Sequence, residues 1–181
     1  MTTGRAITPK SRREADSAAY RLAGTVLFAS VAVILTALAF EHIGGYVPCP
    51  LCLQQRYAYY AAIPLLFAGL VLVSAEKPRA AAMVFLLVAI AYFANAGLGV
   101  YQAGAEWKFW PGPDSCSGDQ GVTTQAGRLI DQLKAVQVVR CDEPSFRLFG
   151  LSFAGWNVIA SFFLFIGALQ AAFKAVAGPR T

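Results

Sequence analysis

Charge is scarce in this chain, and it is missing in blocks. Only 14% of the 181 residues are Asp, Glu, Lys or Arg, where soluble domains run at about a quarter. Four stretches hold none at all: Leu22 to Phe40, Tyr57 to Ala75, Ala80 to Ala105 and Leu148 to Phe173. Each matches or exceeds the ~18 apolar residues that mark a membrane-spanning helix, which needs about 20 at ~1.5 Å rise per residue. Histidine is nearly absent, His42 being the one example. No phosphate-binding glycine loop, carboxylate-rich metal site or serine–histidine constellation is present, so those chemistries have no residues to act through. Cysteine is sparse too, at four residues, and none lies in a charge-free stretch.

These blocks predict an all-α membrane protein: a four-transmembrane-helix antiparallel bundle with two outer loops. The spans fall at about 22–40, 57–75, 80–105 and 148–173, within one domain covering 21–173. Residues 1–20 read as a loosely ordered charged tail and 174–181 as a short tail on the same side. Pro64 is expected to kink the second span. Charge sets the orientation. The termini and the Glu76–Arg79 turn together hold nine basic and three acidic residues, whereas the two loops hold six basic and seven acidic. Lysine and arginine favour the cytoplasmic side, which puts both termini inside and the loops outside. The basic balance is a topology signal and calls for no nucleic acid. Ala37-Leu38-Ala39 resembles a signal-peptide cleavage site. The apolar run before it, however, exceeds the ~7–15 residues of a signal core, and cleavage would leave an odd number of spans.

All four cysteines fall on the outer face, which suits an oxidising compartment. Cys49-Pro50-Leu51-Cys52 occupies the first loop; Cys116 and Cys141 occupy the second. A Cys-x-x-Cys pair cycles between dithiol and disulfide, and at a membrane surface a lipid-soluble electron carrier can reach it. If Cys52 begins the second helix, Arg56 at i+4 shares its face. A cation and a helix N-terminus both favour the thiolate, and the guanidinium can hydrogen-bond an acceptor oxygen as it gains negative charge. Leu53 excludes a c-type haem site, which needs histidine there. A zinc site from the four cysteines is disfavoured, since only one pair has ligand spacing. Four cysteines allow three pairings, and the residues leave that choice open. In the second loop, Trp107, Trp110 and Pro111-Gly112-Pro113 suit an aromatic interface, and Gln125 to Val139 reads as a short amphipathic helix. Gly69, Gly97, Gly99, Gly155 and Gly167 are expected to permit close helix packing, and Asn157 to pack or hydrogen-bond between helices. Tyr57, Tyr59 and Tyr60 line a cleft or form an interface belt.

A series of short motifs follows in order: Phe40-Glu41-His42, Pro48-Cys49-Pro50-Leu51-Cys52 with Arg56, then Trp107 to Pro113 before Cys116. Cys141-Asp142-Glu143 and Leu148-Phe149-Gly150-Leu151, leading to Trp156, complete it. From about Arg21 to Phe173 the chain resembles the bacterial disulfide bond formation protein B family, quinone-coupled oxidases of the inner membrane. The resemblance implies a partner, a periplasmic thioredoxin-fold dithiol oxidase of the DsbA type. It also implies roles. Cys116 is attacked by the reduced partner and holds the mixed disulfide; Cys141 is its companion and exchanges with Cys49. Cys52 meets the ring of a bound quinone, ubiquinone or menaquinone, with Arg56 as the cation beside it and no metal. One departure stands out. Many relatives carry a histidine around Tyr101-Gln102-Ala103, where this chain has Gln102, which hydrogen-bonds but does not titrate.

Two other classes are weighed against this. A quinone-linked thiol oxidoreductase of the vitamin K epoxide reductase type has its cysteine pair late in the bundle, unlike the early pair here. A membrane scaffold whose disulfides staple loops would hold them locked and unreactive toward a soluble dithiol.

Overall fold

The computed structural model describes residues 9–112 and 146–177. Helix α1 runs Pro9–His42, α2 Pro50–Ser74, α3 Pro78–Glu106 and α4 Phe153–Ala177, with a hairpin of β1 (Arg147–Leu148) and β2 (Leu151–Ser152) before α4. All four helices are long and apolar enough to cross a membrane. Prolines open α2 and α3 at a position where the missing N–H is an orphan anyway. At the end of α2 the N–H of Lys77 reaches Leu72 O and that of Glu76 reaches Val73 O, with Glu76 at φ 56°. This double closure turns the chain back into α3 within a few residues.

The helices form a ring in which α1 and α3 each pack on both α2 and α4. Alanines are frequent in its interior, around a few large buried side chains such as Phe85 and Tyr92, and many large apolar residues face outward. Ala23, Ala62, Ala81, Ala168 and Ala171 are fully buried, while Phe28, Phe67, Phe93, Phe163 and Phe173 stand outward and exposed. Small residues let helix backbones approach where lipid gives no hydrophobic drive for association. A Cβ on Gly69 would lie 2.3 Å from the Phe85 ring, and one on Gly167 2.6 Å from Val26. The expected packing role thus applies to these two and to Gly99, which faces Val158, but a Cβ on Gly97 would meet nothing within 4 Å. Polar contacts tie the ring together. Tyr92 donates to Ser30 Oγ at 2.6 Å, and Tyr59 donates to Asn157 Oδ1 at 2.8 Å.

Two boundaries differ from the sequence expectation. The segment before Arg21 is helical from Pro9 onward, and Ala19 is fully buried in the core, so packing extends α1 below the charge-free stretch. The stretch from Leu148 to Phe173 is not one helix. Phe149 (φ 53°) and Gly150 (φ 82°) make a two-residue turn with both φ positive, which closes a hairpin pairing Arg147 with Ser152 and Leu148 with Leu151. Ser152 Oγ then accepts the Gly155 N–H at 3.2 Å and caps α4, fixing its start at Phe153.

Candidate active site

The C-termini of α1 and α3 and the N-termini of α2 and α4 meet at one end of the bundle. Cys49 is the N-cap of α2, its sulfur accepting the Cys52 N–H at 3.2 Å. That bond seats Cys52 in the first turn, where the helix N-terminus favours negative charge on sulfur. Both residues are free cysteines, with Cys49 Sγ donating to Cys52 Sγ at 2.8 Å. The hydrogen bond to Cys52, followed by burial, pushes the Cys49 thiol far above its ordinary range. Cys49 therefore keeps its proton at neutral pH, and Cys52 is the acceptor sulfur.

Two amides supply the polar backing. Gln55 Nε2 donates to Gln102 Oε1 at 2.7 Å, which turns the Gln102 nitrogen toward the cysteines. Gln102 Nε2 stands 3.2 Å from Cys52 Sγ and 3.4 Å from Cys49 Sγ. The same nitrogen donates to Glu106 Oε1 at 3.4 Å. Arg56 faces the same space, but its guanidinium is engaged by the Glu41 carboxylate at the end of α1. The side-chain nitrogen that reaches the sulfurs is thus that of Gln102, while Arg56 is held one helical turn away by an ion pair.

These groups form the polar end of a cavity of about 440 Å³, within the ~300–1,000 Å³ usual for small-molecule sites. Its walls are apolar surfaces of α1 and α4, including Val33, Phe40, Phe153 and Trp156. Rings of Phe40, Tyr46, Phe146 and Phe153 pack with centroids 5.1–6.2 Å apart and clamp the first loop against the hairpin. Two buried atoms on the cavity wall, Glu106 Oε2 and Asn157 Nδ2, lack hydrogen-bond partners among the described residues. A greasy ligand carrying polar oxygens fits this combination of apolar walls, cation, unmet donor and adjacent sulfur.

Cys49, Cys52 and Arg56 are brought to one cavity. Cys116, Cys141 and the expected helix from Gln125 to Val139 lie outside the described residues. Of the three tyrosines, Tyr59 lines the cavity and is buried, whereas Tyr57 and Tyr60 are exposed. His42 is exposed at the end of α1. Sequence reasoning gave no site role to Gln55, Glu106 or Asn157. Their signal was available: polar side chains within or at the edge of charge-free spans face inward because lipid does not hydrate them.

Membrane-length helices around a Cys-x-x-Cys pair at their polar end define a membrane thiol–disulfide protein. The chain belongs to the DsbB family: residues 19–171 match the family model for disulfide bond formation protein DsbB. It is 33% identical over 139 residues to disulfide bond formation protein B of Aromatoleum aromaticum, covering 74% of this chain and 80% of that one. It is 27% identical over 165 residues to the protein of the same name in Verminephrobacter eiseniae, covering 88% of each chain. An uncharacterized protein of Rickettsia prowazekii, RP370, is 24% identical over 152 residues, covering 81% of this chain and 84% of its own. No solved structure matches. Membership implies oxidoreductase activity in disulfide bond formation within a bacterial membrane.

Proposed function

We propose that this protein reoxidises a periplasmic dithiol oxidase of thioredoxin fold and passes the electrons to membrane quinone. The observation that carries the reading is the placement of Cys52 at the polar end of an apolar cavity between membrane-length helices. Quinone supplies the terminal two-electron acceptor. Such an acceptor is needed, because strongly oxidising dithiol proteins have potentials near about −120 mV and 30 mV is worth about 1.4 kcal/mol. A protein disulfide of ordinary stability would not drive them.

The chain's own residues divide the work. Apolar walls of α1 and α4 exclude water, and Arg56, steadied by Glu41, supplies positive charge where an acceptor oxygen becomes negative. Cys52 is the nucleophile; Cys49 closes the disulfide with it. Cys116 receives the partner in a mixed disulfide, and Cys141 exchanges with Cys49. The charge asymmetry of the loops supports an inner-membrane protein with cytoplasmic termini and periplasmic cysteines.

Purified full-length protein with ubiquinone or menaquinone should oxidise a reduced thioredoxin-fold dithiol protein, and Cys52→Ser should abolish this. Equal rates for Cys52→Ser and the parent would sink the reading. A non-reduced protein whose disulfides stay inert toward the dithiol would instead favour a stapled scaffold.

A further inference from the structure

One buried carboxyl of the site has an oxygen without a hydrogen bond among the described residues. Glu106, the last residue of α3, is 6% exposed. Its Oε1 accepts from Gln102 Nε2, while its Oε2 lines the cavity without a hydrogen-bond partner among the described residues. Because Gln102 Nε2 also contacts both sulfurs, the carboxyl and the two cysteines share a single donor. Carboxyl and sulfurs are thus both within hydrogen-bond reach of one amide nitrogen at the polar end of the cavity. A stabilising role does not account for Glu106, since burying an acid with an unmet oxygen costs free energy.

Of the other titratable groups lining the cavity, Glu41 is held by Arg56, the Tyr59 hydroxyl is tied to Asn157 and Ser161, and Tyr46 of the first loop packs its ring against Phe40, Phe146 and Phe153. Two groups of the hairpin face Glu106, Ser152 through its hydroxyl and Arg147 through its charge, and α4 presents no titratable side chain to the cavity. Gln102 positions but does not titrate.

We propose that Glu106 is the proton-transfer residue of the Cys49–Cys52 couple, with Gln102 as the positioning residue that holds carboxyl and sulfurs together. The assignment rests on the quinone reading above. Oxidising the pair breaks two S–H bonds, forms one S–S bond and releases two electrons and two protons. A bound quinone would supply the two-electron, two-proton acceptor that balances this step. The Cys52 proton passes to Glu106 and leaves the thiolate nucleophile. Glu106 then releases that proton into the cavity, to the acceptor oxygen, and returns to carboxylate. The Cys49 proton leaves by the same carboxylate as the disulfide closes.

The test uses full-length protein in nanodiscs. Reduced-minus-oxidised infrared difference spectra without quinone should show the C=O stretch of a protonated carboxylic acid. The band should vanish in Glu106→Gln and persist in Glu41→Gln. With quinone and a dithiol substrate, Glu106→Gln should lower kcat by about 100-fold, the scale of general acid–base catalysis. It should leave KM for the dithiol unchanged and flatten the pH profile, while Glu106→Asp recovers part of both. A Glu106→Gln protein that keeps the band and the parental pH profile overturns the assignment. A parent protein that shows the band but does not turn over with quinone supports the assignment and sinks the quinone reading instead.

Discussion

Gln102→Met isolates the contribution of the amide to the thiol pair. Gln102 is 3% exposed, and its nitrogen donates to Cys52 at 3.2 Å and Cys49 at 3.4 Å. Methionine has similar length and volume but offers no N–H, so the bonds are lost with little change in packing. A hydrogen bond to a charged group is worth about 1.5–3 kcal/mol, and about 1.4 kcal/mol is tenfold in an equilibrium, so the Cys52 ionisation constant falls about 10- to 150-fold. Gln55 Nε2 simultaneously loses its acceptor, which sat at 2.7 Å. That orphaned donor costs about 1–3 kcal/mol of stability. The assay is alkylation of fully reduced protein with iodoacetamide at neutral pH, quenched with acid and mapped by mass spectrometry. Cys52 should react more slowly, by up to that factor, because thiolate is the reacting form. Alkylation of Cys52 at the parental rate, with a lowered Tm, would refute the reasoning and leave Gln102 a purely structural residue.

The same labelling on the parent protein should modify Cys52 before Cys49. The Cys49 pKa is raised, so it stays a thiol below that pKa, across neutral and mildly alkaline pH, and it is also the more buried of the two; the reverse order would contradict the hydrogen-bond direction. Arg56→Met should lower quinone-dependent turnover by about 100-fold, as loss of one oxyanion donor does elsewhere, with partial recovery in Arg56→Lys; unchanged turnover in both would remove Arg56 from the site. Gly69→Ala should destabilise the bundle by about 1–3 kcal/mol, the scale of overpacking, read as a lower Tm in detergent. The new Cβ would lie 2.3 Å from a Phe85 ring that is itself fully buried, and an unchanged Tm would mean the α2–α3 contact is looser than described.

Periodic chemistry along the chain determined the architecture. Lipid cannot hydrate backbone or charge, so four long charge-free blocks leave few alternatives to four spanning helices. Cys49, Cys52 and Arg56 were legible for a similar reason: their relationship is local, set by the first turns of one helix. The hairpin at Leu148 to Ser152 was hidden because hydropathy alone does not distinguish an apolar strand from an apolar helix, and the deciding φ values at Phe149 and Gly150 are conformational. What tertiary structure decided was partnership across helices. Gln102 is 50 residues from Cys52, and Glu41 is 15 from Arg56; no spacing rule connects either pair. Only packing of α1, α2 and α3 at one end of the ring diverts the guanidinium to Glu41, gives the sulfurs to an amide, and leaves one oxygen of Glu106 without a hydrogen bond among the described residues. Hydrogen bonds are short-ranged and directional, so which donor meets which acceptor follows from where the backbones stop.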